Sequence, residues 1–355
     1  MSDFEHFQGT KPVSSQQQFN LDALQDWLKK HVEGFSGPLQ IEQFKGGQSN
    51  PTFKLITPTG HYVMRAKPGP AAKLLPSAHA IEREYQVMTA LARANMPVPK
   101  TWVLCEDEAV IGRAFFLMEM VEGRVLWDPT LPGYSSADRA AIFDEMNSVI
   151  ARLHSVDFAA IGLADYGRPG NYFLRQISRW TKQYRASETE KIEAMDRLID
   201  WLSQHIPPGD ETSIVHGDYR LDNLIFHPTE PRILAILDWE LSTLGHPLAD
   251  FAYHCMAWRV PPSLFRGVAG LDLAALGIPA LEDYIAAYCQ RTGRAGIDHF
   301  DYYLAYNLFR MAGILQGIMK RVVDGTASSE QAVLMGKAAR PLAELGWQMV
   351  EQHIR

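Results

Sequence analysis

"IVHGDYRLDNLIF", residues 214–226, sets a His, a Gly and two Asp between two apolar patches, Ile214-Val215 and Leu224-Ile225-Phe226, with Asn223 five residues after Asp218. The patches read as short strands and the polar residues as the loop between them. Downstream, Ile236-Leu237-Asp238-Trp239-Glu240 again ends an apolar run on a carboxylate. A carboxylate and an amide on one loop, with a second carboxylate at a following strand end, can converge on one point. Such convergence is what a phosphoryl-transfer centre needs: one carboxylate to accept a hydroxyl proton, and hard oxygen ligands to hold magnesium on nucleotide phosphates.

Upstream of this loop the pattern changes along the chain. Residues 1–19 are polar and lack periodicity, which predicts a disordered or loosely attached arm. Asn20 then caps a helix with Leu21, Leu24, Trp27, Leu28 and Val32 at helical spacing and Gly34 as its stop. Short β-like runs follow at 39–44, 52–57, 61–66, 101–105 and 114–120, the second and third joined by the turn residues Pro58-Thr59-Gly60. Between the third and fourth runs, residues 77–95 form one amphipathic helix with Ile81, Tyr85, Met88 and Leu91 on a stripe. After Glu122-Gly123 the spacing is mostly helical: a helix capped by Ser135 or Ser136 runs to about 154, and others fit 172–186, 188–206, 247–258, 279–293, 299–324 and 329–353.

A chain of 355 residues with 46% hydrophobic and 21% charged residues can bury a large core and suits two lobes. Its net charge of -7 argues against a nucleic-acid binder. Three scattered cysteines, none in a CxxC pair, signal neither a disulfide framework nor a zinc site. No charged-then-apolar leader opens the sequence, and no apolar run nears the roughly 18 to 20 residues that span a bilayer, so a cytoplasmic protein without a membrane partner is expected. A homodimer is compatible with the sequence, which leaves the oligomeric state open.

The Asp218-x4-Asn223 spacing matches the protein-kinase catalytic loop, with Gly217 replacing its Arg and Asp238-Trp239-Glu240 standing where kinases carry Asp-Phe-Gly. With His216-Gly217-Asp218 the chain resembles the aminoglycoside-phosphotransferase-like branch of the kinase fold. More narrowly, "IVHGDYRLDNLIF", "ILDWELSTLGHPLADFAYHCMAW" and "LLPSAHAIEREYQVM" resemble the phosphotransferase domain at the N-terminus of certain acyl-CoA dehydrogenase fusions and its stand-alone bacterial relatives, over about residues 20–350. The resemblance implies an α+β, bilobal protein-kinase-like fold: a small antiparallel sheet lobe with one helix, and a larger helical lobe. It divides the chain into an N-terminal arm and helix (1–34), a nucleotide-binding lobe (35–121) and a catalytic and substrate lobe (122–355). By the same resemblance Asp218 is the catalytic base, Asn223 and Asp238 are magnesium ligands, and ATP is the donor.

Other positions follow from the same frame. Gly46, Gly47, Ser49 and Asn50 lie between the first two strands, where the family's phosphate-covering loop sits, although a plain hairpin turn would look similar. The third strand should supply the phosphate-pairing cation. Arg65 and Lys67 share a face by strand alternation, with Arg65 favoured and Glu84, rather than Glu82, as its helix partner. Glu119 and Val121 are hinge contacts for adenine and Leu224 and Ile236 its apolar floor, with core packing an equally good account of each. Asp250 opens a helix twelve residues after Asp238 and would brace the catalytic loop; His246 and His254 have no metal-like spacing.

The acceptor is less legible. Kinases of polycationic antibiotics are expected to present carboxylates to them, whereas here Arg175, Arg179 and Lys182 stack on one face of a predicted helix, with Arg185 nearby. A solvated basic face explains such a stripe, and so does an anionic small-molecule substrate. The fusion relatives imply a hydroxyacyl-CoA thioester. An antibiotic kinase, a non-catalytic nucleotide-binding regulator of the same fold and a metal-dependent hydrolase are the alternatives.

Overall fold

The computed structural model describes residues 9–46, 50–69, 80–326 and 330–354. They form two compact units: Met1–Trp127 with Ala159–Leu163 and Asp222–Leu241, and Asp128–Phe158 with Ala164–Leu221 and Ser242–Arg355.

The first unit opens with β1 (Thr10–Lys11), α1 (Leu21–His31), β2 (Gln40–Phe44), β3 (Thr52–Thr57), β4 (Gly60–Ala66), α2 (Ile81–Arg93), β5 (Thr101–Cys105), β6 (Phe115–Glu119) and β7 (Arg124–Val125). Six of these strands make one antiparallel sheet, in the order β1-β2-β3-β4-β6-β5. Alternation decides its two faces. Phe53 and Leu55 of β3, Met64 and Ala66 of β4, and Phe115 and Leu117 of β6 point to one side and are covered by Leu24 and Leu28 of α1. Burying each of those leucines contributes roughly 1.5 to 3 kcal/mol. Asn20 caps α1 by accepting from the Ala23 N–H at 3.0 Å, and Gly34, at φ +77°, turns the chain after it. Phe116 and Arg65, paired in register across β6 and β4, point to the other side, where Tyr85 of α2 packs against the Phe116 ring at 5.9 Å.

Residues 9–19 are anchored, contrary to the loose arm expected. Thr10–Lys11 adds an edge strand to β2, the Thr10 hydroxyl donates to Glu42 at 2.6 Å, and buried Arg113 donates to the Gln17 side chain and, at 2.9 Å, to its carbonyl. Two residues are too few to show periodicity, and the Arg113 partner lies 96 positions away.

The second unit is helical: α3 (Ser136–His154), α4 (Tyr172–Ser187), α5 (Glu193–Gln204) and β8 (Ser213–Val215). The chain then supplies the first unit with β9 (Leu224–Phe226) and β10 (Ile233–Ile236). It continues in the second with β11 (Thr243–Gly245), α6 (Pro247–Cys255), α7 (Leu273–Leu276), α8 (Leu281–Thr292), α9 (Phe300–Val323), α10 (Glu330–Lys337) and α11 (Ala339–Ile354). Helix α9 is the axis of this unit, packed by α4, α5, α6, α10 and α11. Ser135 begins α3 with a reciprocal capping box to Asp138. The single helix expected over 329–353 is two, broken at Ala338. Pro341 has no N–H for the Lys337 carbonyl, so it fits only the first turn of a new helix. No helix among the described residues is long and apolar enough to cross a membrane.

Candidate active site

In the first unit, strand alternation drives Arg65 into the layer between β4 and α2, where it is 9% exposed. Its Nε lies 2.8 Å from Glu84 Oε2 on α2, and its Nη2 donates to Asp238 Oδ1 at 2.7 Å with Glu240 Oε2 at 3.6 Å. Asn50, fully buried, donates from Nδ2 to the other Glu84 oxygen at 2.9 Å. Burial works against the Arg65 charge, but Glu84, Asp238 and Glu240 outweigh it and hold the guanidinium above its ordinary pKa. Lys67, the alternative cation, sits beyond the end of β4, half-exposed, 2.7 Å from Glu82. Arg65 therefore takes Glu84 and Lys67 takes Glu82.

Pairing of β9 with β10 brings Asn223 and Asp238 to neighbouring chain ends: Leu224 faces Ile236, and the Leu237 N–H donates to the Asn223 carbonyl at 2.8 Å. Asp238 has φ +64°, a left-handed conformation that Asp tolerates better than most side chains, and the indole of Trp239 secures the turn on the Ile236 carbonyl at 3.0 Å. One carboxylate and one amide suit magnesium, which takes few protein ligands and leaves its other positions to phosphate oxygens and water. Among the described residues no three His, Cys, Asp or Glu side chains gather as a closed metal cage.

The other first-unit positions that the sequence singles out are less concentrated. Gly46 is half-buried at the end of β2, and Gly47 and Ser49 lie outside the described residues. Glu119 ends β6, exposed, with its N–H donated to the Lys100 carbonyl at 2.8 Å, and Val121 is half-buried just beyond. Leu224 and Ile236 are fully buried cross-strand partners in this structure.

In the second unit, the loop after β8 carries Asp218. Helix α6 presents the buried Asp250, whose two oxygens accept the N–H groups of His216 (2.7 Å) and Gly217 (2.8 Å), with His154 Nε2 at 3.2 Å. Burial by itself would raise this carboxyl, but the His154 and His216 contacts overcome that and hold it below the usual range. Gly217 has φ +82°, which explains why glycine stands here: Gly217→Ala is expected to cost about 1 kcal/mol or more in a urea melt. Arg310 of α9, 8% exposed, donates to the Gly217 carbonyl at 2.7 Å, and the Tyr253 hydroxyl of α6 donates to Asp218 Oδ1. Arg220 Nε is 3.4 Å from the same oxygen.

The model of a phosphotransferase enzyme family matches residues 40–300. The chain belongs to that family. The phosphotransferase is 48% identical over 341 residues to mouse acyl-CoA dehydrogenase family member 10, covering 95% of this chain but 32% of that protein, so it spans about a third of that relative's length. Among solved structures, one from Ralstonia eutropha, provisionally named an aminoglycoside phosphotransferase, is 65% identical with a TM-score of 0.87, covering 94% of this chain and 99% of that one. An aminoglycoside phosphotransferase crystallised with ADP and hygromycin B shares the fold at 14% identity, with a TM-score of 0.59 over 91% of this chain and 97% of that one. The phosphotransferase thus has a kinase-like α+β fold, a sheet-rich unit and a helix-rich unit.

Tyr253 and Arg310 escaped the sequence reading, although each left a trace. Tyr253 lies three residues after Asp250, hence on the same face of α6. Arg310 interrupts the apolar run Asn307-Leu308-Phe309-Arg310-Met311-Ala312, and a cation in such a run needs a buried partner. The basic stripe of α4 lies opposite its buried face of Phe173, Ile177, Trp180 and Tyr184: Arg179 and Lys182 are exposed, and Arg175 donates to the Arg168 carbonyl at 2.5 Å. Arg185 is committed to Glu188 and Asp196.

His246 and His254 bracket α6, and burial depresses both to about 4. His246 Nδ1 accepts the Leu248 N–H at 3.3 Å as the helix cap, and His254 Nε2 lies 2.7 Å from the Tyr284 hydroxyl. An unfolded chain takes up these protons near pH 6.5, the folded one only near pH 4, so stability is lost as pH falls through that window. Calorimetry should show Tm dropping by several degrees between pH 7 and pH 5. His246→Asn, a cap that does not titrate there, should flatten part of the drop.

Proposed function

We propose that this phosphotransferase moves the γ-phosphate of ATP to a hydroxyl of an anionic small molecule, with a hydroxyacyl-CoA as the preferred class. The observation that carries the reading is the line from buried Asn50, Glu84 and Arg65 to the half-buried Asp238, which ties α2 to the Asp238-Trp239-Glu240 turn through a charged guanidinium. A planar cation fixed in that way suits phosphate oxygens.

Along the chain, residues 1–34 serve as arm and helix, 35–121 bind nucleotide, and 122–355 carry catalysis and substrate. Gly46, Gly47 and Ser49 cover the phosphates, Arg65 meets them, Glu84 holds Arg65 and is itself held by Asn50, which burial keeps from the phosphate contact expected of it, and Lys67 adds positive charge at the rim. Glu119 and Val121 contact adenine through their backbone; the Glu119 N–H is already given to the Lys100 carbonyl. Leu224 and Ile236 lie beneath as apolar support. Asp218 orients the acceptor hydroxyl and takes its proton as that oxygen forms a bond to the γ-phosphorus, in line with the breaking bond to the departing ADP oxygen. Asn223 and Asp238 would hold Mg2+, which neutralises charge on the β- and γ-phosphates.

The acyl-CoA dehydrogenase names of the relatives and the cationic stripe Arg175, Arg179 and Lys182 support a CoA thioester as acceptor. The buried free thiols Cys105, Cys255 and Cys289 support a reducing compartment such as the cytoplasm. The test is ADP release from ATP with a 3-hydroxyacyl-CoA, the same acyl-CoA without its hydroxyl, and kanamycin. Release with the first alone is expected; release with kanamycin and not with any hydroxyacyl-CoA would overturn the substrate assignment. The double variant Arg179→Glu and Lys182→Glu should raise KM for the thioester by roughly three- to tenfold at low salt, less at high salt, while KM for ATP stays fixed.

A further inference from the structure

Helix α6 sends two side chains, one turn apart, to the same loop. Asp250 takes the backbone N–H groups of His216 and Gly217, and Tyr253 reaches the Asp218 carboxylate itself, with its hydroxyl on Oδ1. The ring of Tyr253 is 6% exposed and lies beneath Arg310, whose guanidinium carbon is 5.2 Å from the ring centre while its Nη2 holds the Gly217 carbonyl. Arg310 therefore steadies both the loop backbone and the ring that grips the loop's carboxylate. Arg220 approaches the same Oδ1 from the loop side. A carboxylate whose one oxygen receives a buried phenol and faces a guanidinium has its rotamer chosen by its surroundings, which is what a group acting on a reacting hydroxyl requires.

We propose that Tyr253, supported by Arg310, is a positioning residue that fixes the rotamer of Asp218 for the transfer step. The inference rests on the reading of Asp218 as the base, and the phenol acts through that carboxylate. A hydroxyl that merely satisfies its own burial would leave the chemical step indifferent to its removal; a positioning hydroxyl would not.

The experiment compares Tyr253→Phe, Asp218→Asn and the double variant in the full chain, measuring kcat, KM for ATP and for the hydroxylated acceptor, and ADP binding by calorimetry. Tyr253→Phe keeps the ring under Arg310, so ADP binding should be unchanged. Because one hydrogen bond to a charged group is lost, kcat should fall roughly tenfold to a hundredfold with both KM values within about threefold. In the Asp218→Asn background the same change should add little, because the carboxylate it positions is gone. Full turnover in Tyr253→Phe, an equal drop in both backgrounds, or loss of ADP binding together with turnover would each overturn the proposal. Normal turnover in Asp218→Asn would instead refute the assignment of the base, a result the single variants separate from failure of the Tyr253 inference.

Discussion

Asp218→Ala is expected to cut turnover by about two orders of magnitude or more while leaving ADP affinity within a few-fold of the parent. The backbone of the loop that carries Asp218 is held from elsewhere: Asp250 accepts from the N–H groups of His216 and Gly217, and Arg310 donates to the Gly217 carbonyl. Truncation at Asp218 thus removes a carboxylate without removing the loop's supports. It also frees the Tyr253 hydroxyl, whose acceptor is lost, so a modest fall in Tm accompanies the kinetic effect. Steady-state kinetics with ATP and a hydroxylated acceptor, alongside ADP calorimetry, measures both. Unchanged turnover would take Asp218 out of the chemistry.

Arg65→Met is expected to destabilise the fold by about 3 to 5 kcal/mol, because it strands Glu84 without its cation in a site that excludes water. The Glu84 side chain is 2% exposed, and the Asn50 amide would remain as a neutral partner. Lys67→Met is the comparison: its pair with Glu82 is about a third exposed on each side, so its loss should cost less than about 1 kcal/mol. Urea denaturation of the two variants distinguishes a buried pair from a surface one. Equal, small effects would mean that the Arg65–Glu84 contact is not the strut between β4 and α2. Nucleotide affinity should follow the same order, with Arg65→Met the weaker binder.

Most of the sheet-rich unit was legible because alternation and turn chemistry agree along it: the runs at 52–57 and 101–105 match β3 and β5, and Pro58-Thr59 closes the hairpin between Thr57 and Gly60. The pieces that escaped, β1, β7, β11 and α7, are two to four residues long, too short for any period to register. The break at Ala338 was hidden by an apolar stripe that continues on both sides of it. At the site, local spacing exposed His216-Gly217-Asp218, Asn223 and Asp238, since those residues lie within short stretches. What spacing cannot expose is the partner contributed from far along the chain: Tyr253 is 35 positions from Asp218 and Arg310 is 93 from Gly217. Alternation likewise left Arg65 and Lys67 on one face. Only the end of β4 separates them, Arg65 inside the sheet opposite Phe116 and Lys67 just past it.

We propose that Asn223 and Asp238 hold a nucleotide-bound divalent cation. A crystal structure with ADP and Mn2+ in place of Mg2+, with the metal located by its anomalous signal, tests it most directly. The expected result is one metal peak at about 2.1 Å from oxygens of Asn223 and Asp238 and of the ADP phosphates. A metal bound away from both side chains would contradict it.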